Sequence, residues 1–361
     1  MKFKKEIISH IRELLDKHEL NLSISDILST IFGNIEIASK KEIDLLTNRF
    51  NCSSKSAFLS KISEYLDIDL SFEDNEEIIN QNVFDCIHEL DATKYLNNPY
   101  YKAFKNAEAI HGEYELKKDK YQPYEIFAYQ DMASNDYVEI NSLGYFKEEF
   151  PFIALNHQGV TWMNITPNEI ETMEKAVKEA KGKILVFGLG LGYFPYMALL
   201  KEDVKSVTII ENDQNIISLF NSCLKDKFPN QEKLSIIFDD ANNYINKIYS
   251  HDYVFVDLWH NPEDGIDFFL KFKATEKINK NSKFFYWLES SFYLYLRRCM
   301  FTLLGEQIEK DAPSNYIKAK TMEDKIINAY YQKTKNLLVN SKEELDNLLS
   351  EDTLINLLLN D

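Results

Sequence analysis

Apolar positions in the first hundred residues recur at helical spacing. Ile7, Ile8, Ile11, Leu14 and Leu15 make one stripe, and Phe58, Ile62, Tyr65 and Leu66 make another. Gly33 is the only glycine among residues 1–105, which suits packed helices. This stretch is expected to form a helical N-terminal domain, and it carries no catalytic motif. The period changes at residues 106–165. Short aromatic and β-branched stretches at 124–129, 137–140 and 152–155 are separated by polar turns, which predicts a small antiparallel sheet. Lys117, Lys118 and Lys120 read as a solvated turn. The segment ends in Thr161-Trp162-Met163-Asn164.

Thr166-Pro167-Asn168-Glu169 then carries a helix start. The threonine can cap, the proline suits the first helical position, and the glutamate completes a capping box. The helix runs on through Met173, Ala176 and Val177. From Lys183 apolar strands alternate with segments long enough for crossover helices. The strands are expected at 184–187, 207–211, 234–238, 253–257 and 284–288. This predicts an α/β fold over residues 166–310, a Rossmann-like, mostly parallel sheet with helices on both faces. Residues 311–361 read as a mostly helical, acidic tail.

Composition narrows the partners. The 361 residues are 45% hydrophobic and 13% aromatic, enough for a sizeable core. A net charge of −17 opposes binding along a phosphate backbone, so no nucleic-acid partner is expected. Cys52, Cys86, Cys223 and Cys299 are well spread, as reduced structural thiols of a cytoplasmic protein would be. The first residues form a charged amphipathic helix without an apolar core, so no signal peptide is expected. No apolar run approaches a membrane span. Self-association stays open.

The candidate chemistry lies in the α/β region. Val186-Phe187-Gly188-Leu189-Gly190-Leu191-Gly192-Tyr193 runs an apolar strand into a glycine-rich turn that opens a helix. Glycine allows the sharp turn and lets a ligand approach the backbone. A dinucleotide fingerprint, GxGxxG, would need glycine where Tyr193 stands. Glu211 ends the second strand, about 20 residues after the loop, where a carboxylate can accept both ribose hydroxyls of a nucleoside. It can equally be a cap. Asp240 precedes a helical run through Tyr244 and Ile248 and also suits a cap. Asp257 ends the fourth strand, beside the point where open α/β sheets bind ligands. It could take a proton from an acceptor or hold a cationic one. His260 titrates near neutrality, or it is a hydrogen-bonding loop residue. Trp259 stacks on a planar substrate, or it packs under the sheet. No GxSxG, Walker loop, HExxH or Cys/His ligand set occurs. Asp257 and Glu289 alone are a poor ligand set, so no metal is expected.

Taken in order, the GxGxG loop, Glu211, Asp240-Ala241 and Asp257 resemble the class I S-adenosylmethionine-dependent methyltransferases, over about 140 residues. The resemblance implies S-adenosylmethionine as cofactor, bound by Gly188, Gly190, Gly192, Tyr193 and Glu211, with Asp240 at the adenine amino group. It implies Asp257 as the catalytic residue and methyl transfer to a small acceptor, neutral or cationic. The acceptor pocket is expected between the β-rich segment and the fourth strand's end, with Trp162, Trp259 and His260 beside Tyr193 and Asp257. The β-rich lead-in is similar to that of the polyamine aminopropyltransferases, the spermidine synthase group, which implies aminopropyl transfer as an alternative. Asp257 falls at that group's first gate acid, whereas Asn261-Pro262 stands where a second acid is expected. A nucleoside-binding protein without catalysis is the third reading. For the superfamily's final β-hairpin the sequence offers only 316–319 and 337–339.

Overall fold

Each strand of the α/β region is apolar on both sides, so both sides of its sheet must be covered. Ile184 and Val186 pack into one core, Leu185 and Phe187 into another, and all four are buried. The computed structural model describes residues 1–67, 79–309 and 320–359.

The chain begins with β1 (Lys2–Phe3), the long helix α1 (Lys5–Ile31), α2 (Lys40–Phe50) and α3 (Ser54–Tyr65). After these come β2 (Ile87–Glu89), α4 (Ala92–Leu96) and α5 (Pro99–Phe104). A run of strands follows: β3 (Ala109–His111), β4 (Tyr114–Tyr121), β5 (Phe127–Ala128) and β6 (Ala133–Asn135). It continues with β7 (Val138–Ile140), β8 (Leu143–Tyr145), β9 (Phe150–His157) and β10 (Val160–Ile165). The α/β region opens with α6 (Pro167–Glu179), β11 (Gly182–Phe187), α7 (Tyr193–Leu199) and β12 (Val204–Glu211). Next are α8 (Gln214–Leu219), β13 (Leu234–Phe238), α9 (Ala241–Tyr244), β14 (Tyr253–Val256), α10 (Pro262–Ile278) and β15 (Lys283–Tyr286). The last elements are α11 (Glu289–Glu309), α12 (Met322–Thr334), β16 (Leu338–Val339), α13 (Lys342–Leu348) and α14 (Glu351–Leu359).

The five strands of the α/β region form one parallel sheet in the order β13-β12-β11-β14-β15. This is the expected Rossmann-like fold. Strand order reverses between β11 and β14, and ligands of such sheets bind in the crevice outside that point. Among the described residues no antiparallel hairpin follows β15. Leu338–Val339 pairs in parallel with Lys2–Phe3, and 316–319 lie outside the described residues.

The β-rich lead-in differs in detail from the reading of its sequence. Its main sheet is antiparallel, in the order β10-β9-β4-β3. Lys117, Lys118 and Lys120 sit on β4, paired along its length with β9, and do not form a turn. The alternation that makes this a strand is Tyr114 and Leu116 buried with exposed Glu115 between them, and the lysines follow. Phe127–Ala128 belongs to a separate sheet with β8 and β2, and Val138–Ile140 to a hairpin with β6. The capping box at Thr166 also fails. Thr166 is buried at the N-cap, but its side chain accepts no backbone N–H. Its hydroxyl partners Tyr121 instead, and Glu169 points elsewhere.

One face of the parallel sheet packs on the start of α1 and on α10, α11 and α12, through Ile7, Ile11, Phe269, Phe292 and Tyr330. The far half of α1, from Ile24 to Ile31, lies in another core with α2, α3, β5 and β8. At 1.5 Å per residue α1 is about 40 Å long, so it joins the two cores as one rod. Its buried Asn21 donates to the Tyr137 carbonyl and accepts from Glu139 N, both at 2.9 Å, fixing β7. Glu139 in turn forms a two-pronged ion pair with Arg298 of α11, with Nε at 2.7 Å.

Two stability outcomes follow. Arg298→Ala leaves Glu139, whose side chain is 6% exposed, as a buried unpaired charge, so urea unfolding should show a loss of about 3–5 kcal/mol. Gly188→Ala would place a Cβ 2.0 Å from the Asp257 carbonyl oxygen, at a φ of +95°. It should cost about 2–4 kcal/mol by the same measurement; a loss under half a kilocalorie would mean the two strand ends move apart easily.

Candidate functional site

The crevice at the switch point is a cavity of ≈ 260 Å³. It gathers residues from the ends of four strands, from α6 and from β10. Of the residues singled out from the sequence, Trp162, Gly188, Gly190, Gly192, Tyr193, Glu211, Asp257, Trp259 and His260 all line it. Asp240 does not. Its carboxylate accepts from Asn242 N at 2.7 Å and caps α9, because a helix start there needs an acceptor.

The loop from Gly188 to Gly192 turns through three left-handed residues, with φ of +95°, +51° and +76° at the glycines. A Cβ at Gly190 would meet Met163 Sδ at 3.3 Å, so this glycine leaves the backbone open toward the cavity. Glu211 holds the loop. Its two carboxylate oxygens accept from Leu189 N at 2.9 Å and Asp213 N at 2.8 Å. Burial raises the Glu211 pKa, and these backbone donors pull against the rise. Asp213 beside it accepts from the Tyr114 hydroxyl at 2.7 Å, which ties β4 to the end of β12.

Asp257 stands at the end of β14, its N–H bonded to the Phe187 carbonyl at 2.9 Å. Burial, and then the charge of Glu211, pushes its carboxyl up to about 7. Glu169, from the first turn of α6, is the residue that the sequence assigned to a cap. It lines the cavity, and burial followed by the charge of Asp257 raises it well above the usual carboxylate range. Two carboxyls raised in one cavity mark a candidate functional site.

The walls are aromatic. Trp162 sits at a bulge of β10, where the pairing with β9 shifts between Thr161 and Met163. Its ring lies edge-on to His260 at 4.6 Å and to His157 at 5.8 Å, and His157 stacks on Tyr114 at 4.5 Å. Of these rings Tyr114, Trp162 and His260 line the cavity. His260 is exposed there, and its Nδ1 is 3.1 Å from Asp264 Oδ2. Trp259 fills both roles open to it. It is 5% exposed, packed on Phe292 and Phe269, and it also lines the cavity. Gly265 leaves the space it occupies. Its Nε1 donates to the Trp287 carbonyl at 3.0 Å, and Trp287 Nε1 donates to Thr172 Oγ1 at 2.9 Å. Trp287 lines the cavity too, so all three tryptophans of the chain do.

Glu169, Trp287, Tyr114 and Asp213 were not singled out as site residues from the sequence. Trp287 had a usable signal, since it directly follows the strand that neighbours β14, in the place that Asp257 holds on β14 itself. Glu169 had none beyond its charge. Tyr114 and Asp213 meet only through the tertiary fold.

No protein-family model matches the chain, and no curated protein matches it. Among solved structures, spermidine synthase from Thermotoga maritima is similar at 16% identity and a TM-score of 0.30. A spermidine synthase in complex with the transition state analogue AdoDATO is similar at 18% identity and a TM-score of 0.31. Each match covers 42% of this chain and 59% or 60% of the other, less than two thirds of those proteins' length.

Proposed function

We propose that this chain binds S-adenosylmethionine in the switch-point cavity and transfers its methyl group to a small acceptor, neutral or cationic. The observation that carries the reading is the Glu211 carboxylate. It is fixed to the glycine loop through Leu189 N and lines the same cavity as Gly188, Gly190 and Asp257. That is the arrangement of acceptor group and open backbone that a nucleoside with a charged tail requires. Gly188, Gly190 and Gly192 would border the donor's tail, and Glu211 would take its ribose hydroxyls. When bound, the sulfonium supplies a methyl group already activated for transfer. The chain's own task is therefore to orient the acceptor and exclude water. Trp259 and Trp287, locked to each other and to α6, wall off solvent. Asp257 follows the strand on the other side of β11 from Glu211, its carboxylate free of hydrogen bonds among the described residues, and holds or deprotonates the acceptor.

One observation favours aminopropyl transfer as a second reading. Among the described residues the cavity lining includes Glu169, Glu211, Asp213 and Asp257 but no lysine or arginine. Such a lining suits a decarboxylated donor, which lacks the carboxylate. Against it, Asn261 is committed to capping α10, accepting from Glu263 N at 2.9 Å, and it does not line the cavity. Offering both donors with a panel of amines and alcohols separates the two. A bound donor with no turnover on any acceptor would favour a binding protein.

Glu211→Ala should weaken S-adenosylhomocysteine binding by about 1–3 kcal/mol in calorimetric titration, since it removes charge-assisted acceptors. A change of a few tenths would leave Glu211 only its role of holding the loop. Asp257→Asn should lower methyl incorporation at least about tenfold while donor affinity stays within about threefold. Equal loss of both would place Asp257 at the donor.

A further inference from the structure

One wall of the cavity is held from outside the α/β region. Trp287 lines the cavity, and its N–H extends the pairing of β15 with β14 by donating to the Val256 carbonyl at 3.0 Å. Two residues later α11 begins. Leu288, between them, has a φ of +53°, a left-handed backbone that a branched side chain adopts only under constraint. The first N–H groups of a helix need acceptors from outside the helix. The apolar side chain of Leu288 cannot supply one.

Asp131 supplies it. This residue stands in the loop between β5 and β6, 159 residues before Ser290. Its Oδ2 accepts from Ser290 N at 2.9 Å. Its Oδ1 accepts from the Ser291 hydroxyl, and from Met132 N at 2.8 Å. A carboxylate there also meets the positive end of a 21-residue helix. The chain beyond Asp131 then follows α11. Arg297 Nη1 donates to Ser134 Oγ at 3.3 Å, and Arg298 pairs with Glu139. From the other side Lys273 of α10 fixes the residues that flank Trp287 and Leu288. Its ammonium is 2.6 Å from Glu289 Oε1 and 4.3 Å from the centre of the Tyr286 ring.

We propose that Asp131 is a positioning residue for the cavity: by capping α11 it holds Leu288 left-handed, and Leu288 in that state sets the Trp287 indole in the wall. The inference goes beyond the donor reading and stands whatever the cavity binds. Without the Asp131 carboxylate the Ser290 N–H loses its acceptor, and Leu288 is free to return to the right-handed region. A change of φ at Leu288 turns the peptide plane that carries the Trp287 carbonyl. That carbonyl accepts from Trp259 Nε1 at 3.0 Å, and the Trp287 indole itself is tied to Thr172 Oγ1 at 2.9 Å. The disturbance therefore reaches both indoles of this wall. Trp162, on β10, has no bond to the turn and stays where it is. The strands that carry the Asp131 loop, β5 and β8, share a core with α2, α3 and the far half of α1. The N-terminal region thus acts on the cavity through the Asp131 carboxylate.

Fluorine NMR of the full chain labelled with fluorotryptophan tests this, since the sequence holds three tryptophans and Trp287→Phe identifies the resonance of Trp287. Asp131→Ala should shift or split the Trp287 resonance and leave that of Trp162 in place, while urea unfolding stays cooperative. Asp131→Asn keeps an oxygen for the Ser290 N–H and should restore the parent spectrum. Leu288→Gly added to Asp131→Ala should bring the Trp287 resonance back toward its parent position, because glycine takes the left-handed state without constraint. Should Asp131→Ala not fold, Ser291→Ala removes one donor to the same carboxylate and should move the Trp287 resonance and not that of Trp162. A folded Asp131→Ala or Ser291→Ala chain with the parent spectrum would overturn the proposal, leaving Asp131 a role in stability alone. So would an asparagine variant that behaves like alanine, or a glycine that returns nothing. S-adenosylhomocysteine titrated into the parent decides the donor reading separately. If it fails to bind while the Trp287 resonance responds as expected, the donor reading falls and this inference stands.

Discussion

The close approach of Gly188 to the Asp257 carbonyl is the constraint from which the site follows. β11 and β14 are neighbours, and a Cβ at residue 188 would lie 2.0 Å from that oxygen. Glycine there lets the two strand ends stay in register, with Asp257 N bonded to Phe187 O at 2.9 Å. Beyond that bond the two chains leave for opposite faces of the sheet, which opens the crevice. The glycine loop enters it from one side and Asp257 from the other. Glu211, from the next strand, then holds the loop tip by its backbone.

Burying several carboxylates in one cavity opposes folding, and the rest of the structure has to carry that cost. It does so with two aromatic cores on the two faces of the parallel sheet. The cavity's own walls belong to these cores. Trp259 is part of the Phe269–Phe292 stack, and its indole N–H reaches the Trp287 carbonyl. A wall built this way cannot relax around the acids, so Glu169 and Asp257 keep their raised proton affinity.

The segments around the α/β region contribute to the site and brace it. β4 brings Tyr114 to Asp213, and the bulge of β10 brings Trp162 to the mouth. Asp131, from the loop between β5 and β6, accepts from Ser290 N at 2.9 Å and caps the start of α11. One residue separates that start from Trp287. Leu288, between them, is left-handed at φ +53°, a conformation costly for a branched residue and kept only where surroundings impose it. α1 ties this bracing to the N-terminal core through Asn21 and to α11 through its packing on the same face.

By itself the sequence determined the parallel sheet, the glycine loop and the two acids at strand ends, Glu211 and Asp257. Continuous apolar runs, glycine spacing and the residue just past a strand are local properties, and the place they take in such a sheet follows from its handedness and order. Only the tertiary structure decided the rest. Asp240 stands at the N-cap of its helix and Glu169 at the third position of its own, and either place suits a capping role. The first caps its helix, while the second lines the cavity and Thr166 is engaged by Tyr121. Lys117, Lys118 and Lys120 read as a turn until β9 arrives to pair with them. A charge's role depends on what is packed against it, and those neighbours come from strands and helices far away along the chain.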